Sequence, residues 1–513
     1  MKIVTSGEIQ KIEQYIMNEV GISAALMMEN AALAVAKHCI AYLEGLSHPR
    51  VMVVAGTGKN GGDGLIVARH LTVAGFETGI IFVGERQRAG EDVLVHLGIA
   101  QKLGIPISYV PTGDSLLNIP YMIETCDLVV DALLGVGISG LVGPNHKYMI
   151  ETINAFAKRV VSVDIPSGVN PDNGQVMGAA IKAHKTVTFG LYKLGLLLYP
   201  GAAYAGEIIL ERIGVPQSVW SHMDLEINAL CDEEARKLLP NRYPYSNKGT
   251  YGKVFVMAGC ADMPGAAVLA CMAAYRVGSG LVNACVTRDV AGVIHQNALE
   301  VVTQVLPDKG GYLCQKSGDL LKELLYKAAS IVLGPGLGRN RDVTDFVRDM
   351  IASVEAPIVI DADGLNAVAD DLNVLHTLRA PGIITPHMGE MGRLLRLPLS
   401  DIAKNPIQYA KDFAKEYEVI VVLKDARTIV VAPSGDVYVN ISGNSALAKA
   451  GSGDVLAGMV AGLLAQGLDG FTAAILGVYL HGRCGEAASA EFSLYGVNAR
   501  DIIEYIPRVM ASL

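Results

Sequence analysis

The strongest constraint in this 513-residue chain is an alternation of strand-like and helix-like segments that occurs twice. Short β-branched runs, VMVVAG (51–56), TGIIFVG (78–84), IPISYV (105–110), CDLVVDALLG (126–135), RVVSVDIPSG (159–168) and KTVTFG (185–190), are separated by stretches such as GLIVARHLTVAG (64–75). Strands that are apolar along their length and joined by helices predict a mostly parallel sheet covered on both faces. The pattern lapses over 213–247, which holds Pro216, the single tryptophan and the charged run CDEEARK. It restarts with KVFVMAG (253–259), LVNACVT (281–287), SIVLGPG (330–336), PIVIDADG (357–364), GIITPH (382–387) and VIVVLKD (419–425). Two α/β domains are therefore expected, 1–220 and 228–513, with no evident repeat between them.

Composition narrows the class. Hydrophobic residues make up 51%, aromatic ones 6%, and 56 residues are glycine, which suits glycine-punctuated α/β layers with Val, Ile and Ala interiors. A formal net charge of −9 without any basic run argues against a nucleic-acid partner. The opening MKIVTSGEIQKIEQYI lacks a basic segment leading into an apolar one, so no secretory signal is expected. Thr5 and Glu8 instead fit a capping box ahead of a helix. The most apolar stretches, 266–286 and 455–482, are broken by Arg276 and by Gln466 and Asp469, and read as buried helices rather than membrane spans. Eight cysteines without a C-x-x-C pair, and eleven histidines without an H-x3-H cluster, point to reduced core thiols in a cytoplasm.

VMVVAGTGKNGGDG (51–64) follows a strand and opens a helix. Gly56, Gly58 and Gly61 satisfy G-x-G-x-x-G, and Glu85 ends the next strand where a ribose-binding acid could sit, by itself a weak dinucleotide signal. Lys59, Asn60 and Asp63, however, crowd polar groups into the turn, and more glycine follows than a pyrophosphate needs. A tight turn with solvated polar tips is the structural alternative. Two further strand ends carry acids, Asp131 and Asp164. Carboxyl ends of parallel strands line one crevice, so Asn60, Asp131, Asp164 and Ser167 are expected to converge. Oxygen-only ligands suit a hard cation rather than zinc, and an acid beside such an ion is fit for proton transfer. Each Asp alone could equally be a turn carboxylate.

NSALAKAGSGDVLAGMVAGLLAQG (444–467) poses a paradox. Gly451, Ser452 and Gly453 open a small-residue helix whose first N–H groups and positive dipole end suit phosphate. The next side chain is nevertheless a carboxylate, Asp454. The two are compatible in a phosphotransferase: the N–H groups hold the charge of a phosphoryl group in flight, and the acid takes the proton of the attacking hydroxyl. A core helix with an Asp at its cap is the plainer alternative. No G-x-x-x-x-G-K-[ST] occurs, which excludes a P-loop kinase, and no H-R-D or D-F-G set is present. Glycines in GPGLG (334–338), DADGLNAV (361–368) and TPHMGE (385–390) permit close backbone approach to a bulky ligand. His387 is a contact candidate there, and Lys424, in LKDART (423–428), could pair with phosphate. A structural histidine and a solvated lysine are their plainer readings.

GTGKNGGDGLIVARHL, DALLGVGISG and VSVDIPSGVNPDNG resemble the NAD(P)HX epimerase domain, the YjeF N-terminal family, over about 1–215. The resemblance implies a Rossmann-like three-layer α/β/α domain that binds hydrated NADH or NADPH (NADHX, NADPHX) and a potassium ion. Asn60, Asp131 and Ser167 are the implied K+ ligands. Lys59, Asn60, Gly61, Gly62 and Asp63, then Gly135, Val136, Gly137, Ile138, Ser139, Gly140 and Leu141, are implied substrate contacts. Asp164 is a further contact and is assigned the catalytic role. Gly61 stands where many relatives have asparagine.

NKGTYGKVFVMAG, GAAVLACMAAYRVGSGLVNA, GPGLG, DADGLNAV, TPHMGE and NSALAKAGSGDVLAGM are similar to the ribokinase-like NAD(P)HX dehydratase, the YjeF C-terminal family, over about 228–513. The resemblance implies a ribokinase-like α/β domain. It implies phosphorylation of the hydrate's ring hydroxyl by ADP in bacterial and archaeal members or ATP in eukaryotic ones, with Mg2+, and then elimination of phosphate. Ala267, Gly336 and His387 match positions for the hydrate. Lys424, Asp425, Ala426, Arg427 and Thr428, with Gly451, Ser452 and Gly453, match nucleotide positions, and Asp454 the catalytic acid. Asp425 replaces a usual glycine and Met388 a usual proline.

The expectation is thus a bifunctional repair enzyme that interconverts the R and S hydrates and dehydrates the S form, with ADP favoured. It is expected as a cytoplasmic homo-oligomer without nucleic-acid or membrane partners. The rivals are a ribokinase-like kinase of another small alcohol and an N-terminal module that binds nucleotides without chemistry.

Overall fold

The structure, a computed structural model, describes residues 1–110 and 118–513. The chain forms two compact units, Lys2–Leu225 and Glu226–Leu513, the second also including Met1. In the first, helix Ser6–Tyr15 is capped by the expected Thr5–Glu8 box. Among the described residues its sheet has seven strands: β1 (Arg50–Ala55), β2 (Glu77–Val83), β3 (Ile107–Val110), β4 (Leu128–Ala132), β5 (Val160–Val163), β6 (Lys185–Phe189) and β7 (Glu207–Glu211). They lie in the order β3-β2-β1-β4-β5-β6-β7, every neighbouring pair parallel.

The apolar strands are explained by helices on both faces. Val51, Val53, Ile80 and Phe82 pack with Val35, Leu65 and Leu97 on one side. Met52, Val54, Ile81 and Val83 pack with Ile123, Met149 and Ile153 on the other. Strand order reverses between β1 and β4, and the carboxyl ends there form the crevice where doubly wound sheets bind ligands.

In the second unit ten strands form the sheet: β8 (Ile227–Asn228), β9 (Lys253–Met257), β10 (Leu281–Val286), β11 (Val302–Val305), β12 (Ser330–Leu333), β13 (Ile358–Ile360), β14 (Gly382–Ile384), β15 (Val419–Leu423), β16 (Ile429–Val431) and β17 (Val437–Val439). The order is β8-β17-β16-β15-β14-β13-β12-β9-β10-β11, antiparallel only at β15/β16 and β16/β17.

One expectation needs correcting. The 266–286 stretch is not a single helix: helix Pro264–Arg276 stops, the chain turns through Gly278 (φ 117°), and β10 begins. The 455–482 stretch does lie in helices, Ser452–Ala465 and Gly470–Gly496. Helix Ser452–Ala465 is buried almost all round. It approaches helix Pro264–Arg276 so closely that a Cβ on Gly458 would lie 2.2 Å from the Ala270 carbonyl oxygen. Among the described residues no helix is long and apolar enough to cross a membrane.

Candidate functional sites

β1 ends at Ala55 and helix Lys59–Val73 begins after Gly58, so Lys59, Asn60 and Asp63 sit in the first turns of the helix rather than in a loop. The glycines explain the early start. A Cβ on Gly56 would lie 2.0 Å from the Leu133 carbonyl oxygen, and one on Gly61 1.9 Å from that of Gly56. The turn therefore folds onto the end of β4 at a distance that only glycine permits. Gly62 is buried in the same helix. After β4, Gly135 backs onto Asn60, and the segment through Val136, Gly137, Ile138, Ser139 and Gly140 runs outward to an exposed Leu141.

Asp131, at the end of β4, is wholly buried. Its Oδ1 accepts Ser167 Oγ (2.5 Å) and Leu133 N–H (3.3 Å), and its Oδ2 accepts Ser162 Oγ (2.7 Å) and Ser167 N–H (2.9 Å). Burial raises its pKa against the pull of these bonds, and it forms no ion pair among the described residues. Asn60 Nδ2 donates to the Leu134 carbonyl (2.9 Å), whose N–H donates to Ser167 Oγ (2.8 Å). Asn60, Asp131 and Ser167 are thus brought together around the Leu134 peptide. A buried carboxylate ordinarily has a counter-charge. An oxygen-only set with one acid fits a weakly charged hard ion.

No hydrogen bond links Asp164 to that set among the described residues. It follows β5 in the left-handed region (φ 65°). Its Oδ1 accepts Thr188 Oγ1 (3.0 Å), Phe189 N–H (3.3 Å) and the Lys193 ammonium. Lys193 escaped the sequence reading; its one signal is a lone charge in the apolar run LYKLGLLLYP. Burial, and then the Asp164 carboxylate, push the Asp63 carboxyl well above the usual range, with Glu13 adding and Lys59 and Lys193 opposing.

In the second unit Gly451 takes φ 88° and precedes helix Ser452–Ala465. Ser452 N–H reaches the Lys449 carbonyl (3.3 Å), while the N–H groups of Gly453 and Asp454 have no partner among the described residues. Asp454 is the third helical residue and makes no side-chain hydrogen bond there, so its carboxyl does not serve as the cap. Burial, then Asp361, raise its pKa to about 7 against Lys424.

Lys424, just past β15, donates to Asp361 Oδ1 (2.7 Å), as does Thr385 Oγ1 (2.7 Å). A Cβ on Gly453 would lie 3.3 Å from Lys424 Nζ and 3.7 Å from Asp361 Oδ2, which sets ammonium, carboxylate and turn side by side. Asp361 and Asp363, in the quoted DADG, carried no assigned role. Asp363 accepts Gly338 N–H (2.9 Å) and Arg339 Nε (3.0 Å) and so secures the GPGLG loop. Gly336 (φ 62°) packs on Ala266, next to the buried Ala267.

His387 caps helix Met388–Leu395. Its Nδ1 accepts Gly389 N–H (2.9 Å) and Glu390 N–H (3.2 Å), and its Nε2 lies 3.5 Å from the Glu390 carboxylate. In the loop after Lys424, Asp425 accepts Ala426 N–H (2.8 Å), Arg427 donates to the Ile441 carbonyl (2.9 Å), and Thr428 hydrogen-bonds weakly to Asp425 (3.5 Å). Ser452 Oγ lies 3.1 Å from Nε2 of buried His481, which burial holds at about 4 and so keeps neutral.

Residues 254–508 match the family described as NAD(P)H-hydrate dehydratase, and residues 24–195 the YjeF-related protein N-terminus. The chain is 36% identical over 515 residues to the bifunctional NAD(P)H-hydrate repair enzyme Nnr of Moorella thermoacetica, covering 100% of this chain and 97% of that one. The chain belongs to the bifunctional NAD(P)H-hydrate repair enzyme family. A second member of the repair-enzyme family, from Thermofilum pendens, is 34% identical with coverage of 100% and 97%. A ribokinase-like superfamily protein of Enterococcus faecalis, 24% identical with a TM-score of 0.50, covers 56% of this chain and 96% of its own, and shows the fold of the second unit.

Proposed function

We propose that the N-terminal unit interconverts the R and S hydrates of NADH and NADPH, and that the C-terminal unit dehydrates the S form with ADP. One observation carries the dehydratase reading: an acid poised near neutrality, free of hydrogen bonds, beside two open N–H groups and the Lys424 ammonium. Asp454 takes the proton of the hydrate's hydroxyl as the phosphoryl group passes to that oxygen. The N–H groups of Gly453 and Asp454, with Lys424, hold the developing charge. Loss of phosphate, with a proton from the neighbouring ring carbon, restores the double bond. Ala267, Gly336 and His387 flank the hydrate, and Lys424 to Thr428 contact the nucleotide.

Mg2+, when bound with the nucleotide, would neutralise phosphate charge. Asp361 and Asp363 are engaged by Lys424 and Arg339, so phosphate oxygens and water would supply most of its ligands. ADP is the donor that the resemblance assigns to bacterial and archaeal members. K+ belongs on Asn60, Asp131 and Ser167; the uncompensated burial of Asp131 supports it. When bound, it supplies the missing counter-charge and steadies the Gly135–Leu141 segment beside Asn60. Asp164 is the proton-transfer group of the N-terminal centre. A dehydratase specific for one epimer strands the other, which joins the two activities. Eight free cysteines among the described residues, seven of them buried, support a cytoplasmic setting.

The test is incubation of chemically hydrated NADH with ADP or ATP, following the return of reduced-nicotinamide absorbance and the release of phosphate. Equal amounts of both products are expected. A stable phosphorylated product would instead favour a kinase of another small alcohol, and activity with ATP alone would overturn the donor assignment.

A further inference from the structure

Helix Gly470–Gly496 carries a buried histidine that the chemistry above leaves unused. Ser452 is 7% and His481 8% exposed, and Ser452 Oγ lies 3.1 Å from His481 Nε2. The ring has little room to swing, because its helix is seated tightly on the chain that leads to Ser452. A Cβ on Gly482 would lie 2.1 Å from Ser442 Oγ, and one on Gly485 2.6 Å from the Leu447 side chain. Ser442 Oγ also reaches the Tyr479 carbonyl (3.0 Å), and Gly443 N–H donates to the Glu486 carboxylate (2.7 Å). The same stretch fixes the Lys424–Thr428 loop: the Ile441 carbonyl accepts Arg427 (2.9 Å), and the Thr428 carbonyl accepts Asn440 N–H (2.8 Å). No side-chain hydrogen bond caps helix Ser452–Ala465. Ser452 is its first residue, and its hydroxyl bonds to the ring rather than to the open N–H groups of Gly453 and Asp454. The ring is neutral, so it binds that hydroxyl without adding a charge to the turn.

We propose that His481 is a positioning residue of the dehydration step: by holding the Ser452 hydroxyl, it keeps the N–H groups of Gly453 and Asp454 open for phosphate. This rests on the dehydratase reading. Serine hydroxyls near helix starts compete for the neighbouring backbone N–H groups. Ordinarily that competition is useful, since it satisfies donors that the helix leaves unpaired. Here it is harmful, because those donors are the ones that hold the phosphoryl group. A buried hydroxyl needs a partner. With the ring in place, Ser452 has one outside the turn. Without the ring, the unpaired groups at hand are the N–H groups of Gly453 and Asp454, and a bond to either would occupy a donor meant for a phosphate oxygen. His481 therefore acts on turnover through Ser452, which gives it a signature that loss of packing lacks.

The experiment uses the full chain and follows NADH formation from the S hydrate with saturating ADP or ATP, whichever the wild type turns over. His481→Phe keeps an aromatic ring in place and removes the hydrogen bond. Its kcat should fall about ten-fold or more, the order expected when a donor to a charged group is lost. KM for the hydrate should stay near the wild-type value, since Ala267, Gly336 and His387 are untouched. Adding Ser452→Ala removes the competing hydroxyl, so the double variant should regain most of the lost kcat. A double variant no faster than His481→Phe would make the histidine merely a packing residue and overturn the inference, as would a His481→Phe chain with wild-type kcat. Should His481→Phe not fold, His481→Asn serves with the same two outcomes, since its short amide does not reach as far as Nε2. A wild-type chain that forms no NADH with either nucleotide sinks the dehydratase reading itself. The ADP affinities of the same chains, read by calorimetry, then decide the role of His481, with weakening in His481→Phe and recovery in the double variant expected, and no recovery overturning it.

Discussion

Asp454→Asn should stabilise the C-terminal unit while disabling it. The Asp454 carboxyl titrates at about 7 in the folded chain against 3.8 when unperturbed, a gap of about 3 units. At roughly 1.4 kcal/mol per unit, the upper bound on the stability involved is about 4 kcal/mol; relaxation and water access bring the expected figure to about 2 kcal/mol. The sign follows from proton binding. The folded state holds this proton more tightly than the unfolded one, so wild-type stability declines as pH rises from about 4 to about 7 and stays reduced above that. The amide has no proton to lose and escapes the decline. Its Tm should exceed wild type by about 4 °C at pH 8, taking roughly 2 °C per kcal/mol for a unit of this size. The gain should disappear toward pH 4. Scanning calorimetry can follow this if the two units melt separately. Dehydration should drop about 10²–10⁴-fold with nucleotide binding kept, and the wild-type rate should climb with pH through about 7. A Tm difference that is the same at both ends of the pH range would refute the burial argument, and near-normal turnover would remove Asp454 from the chemistry.

Epimerisation should need K+: equal rates in potassium-free sodium buffer would show that the uncompensated charge of Asp131 is met some other way. Lys424→Met should leave Asp361, which is 1% exposed, without its cation, lowering stability by about 3 kcal/mol and raising the KM for ADP. Adding Asp361→Asn should recover part of that stability in denaturant titrations, and no recovery would mean the two do not act as a pair. A fragment of residues 226–513 should consume the S hydrate and stall on the R hydrate until residues 1–225 are added; a fragment that clears both epimers equally would contradict the division of labour.

The central strands of both sheets could be read from sequence because burial on both faces demands unbroken apolar runs. β7 is a half-buried edge strand with glutamates at both ends, EIILE, and shows no such run. β16 and β17, three residues each near an edge of the second sheet, also went unread. The 266–286 stretch was read both as one buried helix and, at 281–287, as a strand; the strand reading holds, and because a buried helix and a buried strand are equally apolar only Gly278 and Gly280 mark the join. At the two centres, Asp164 and Asp454 stood out because each sits beside a glycine-rich or strand-end motif. Their controlling partners did not. Lys193 meets Asp164 across 29 residues, and Lys424 meets Asp361 across 63, pairings that only the sheet order creates. Lys59, Asn60 and Asp63 were seen but misplaced, since the seating of Gly56 on the distant Leu133 carbonyl, which shapes this turn, is a tertiary contact.

Because helix Ser452–Ala465 rides directly on the backbone of helix Pro264–Arg276, the turn at its start takes its position from contacts remote from Asp454 itself. Gly458 lies four residues beyond Asp454, about 6 Å along the axis at 1.5 Å per residue. A single added methyl there must push against the Ala270 carbonyl, lifting the helix and carrying the turn away from Lys424. Random drift or laboratory selection therefore has little freedom to retune phosphoryl transfer from behind. The turn ahead of Asp454 is thereby inherited together with the helix pair beneath it, as one nearly rigid piece.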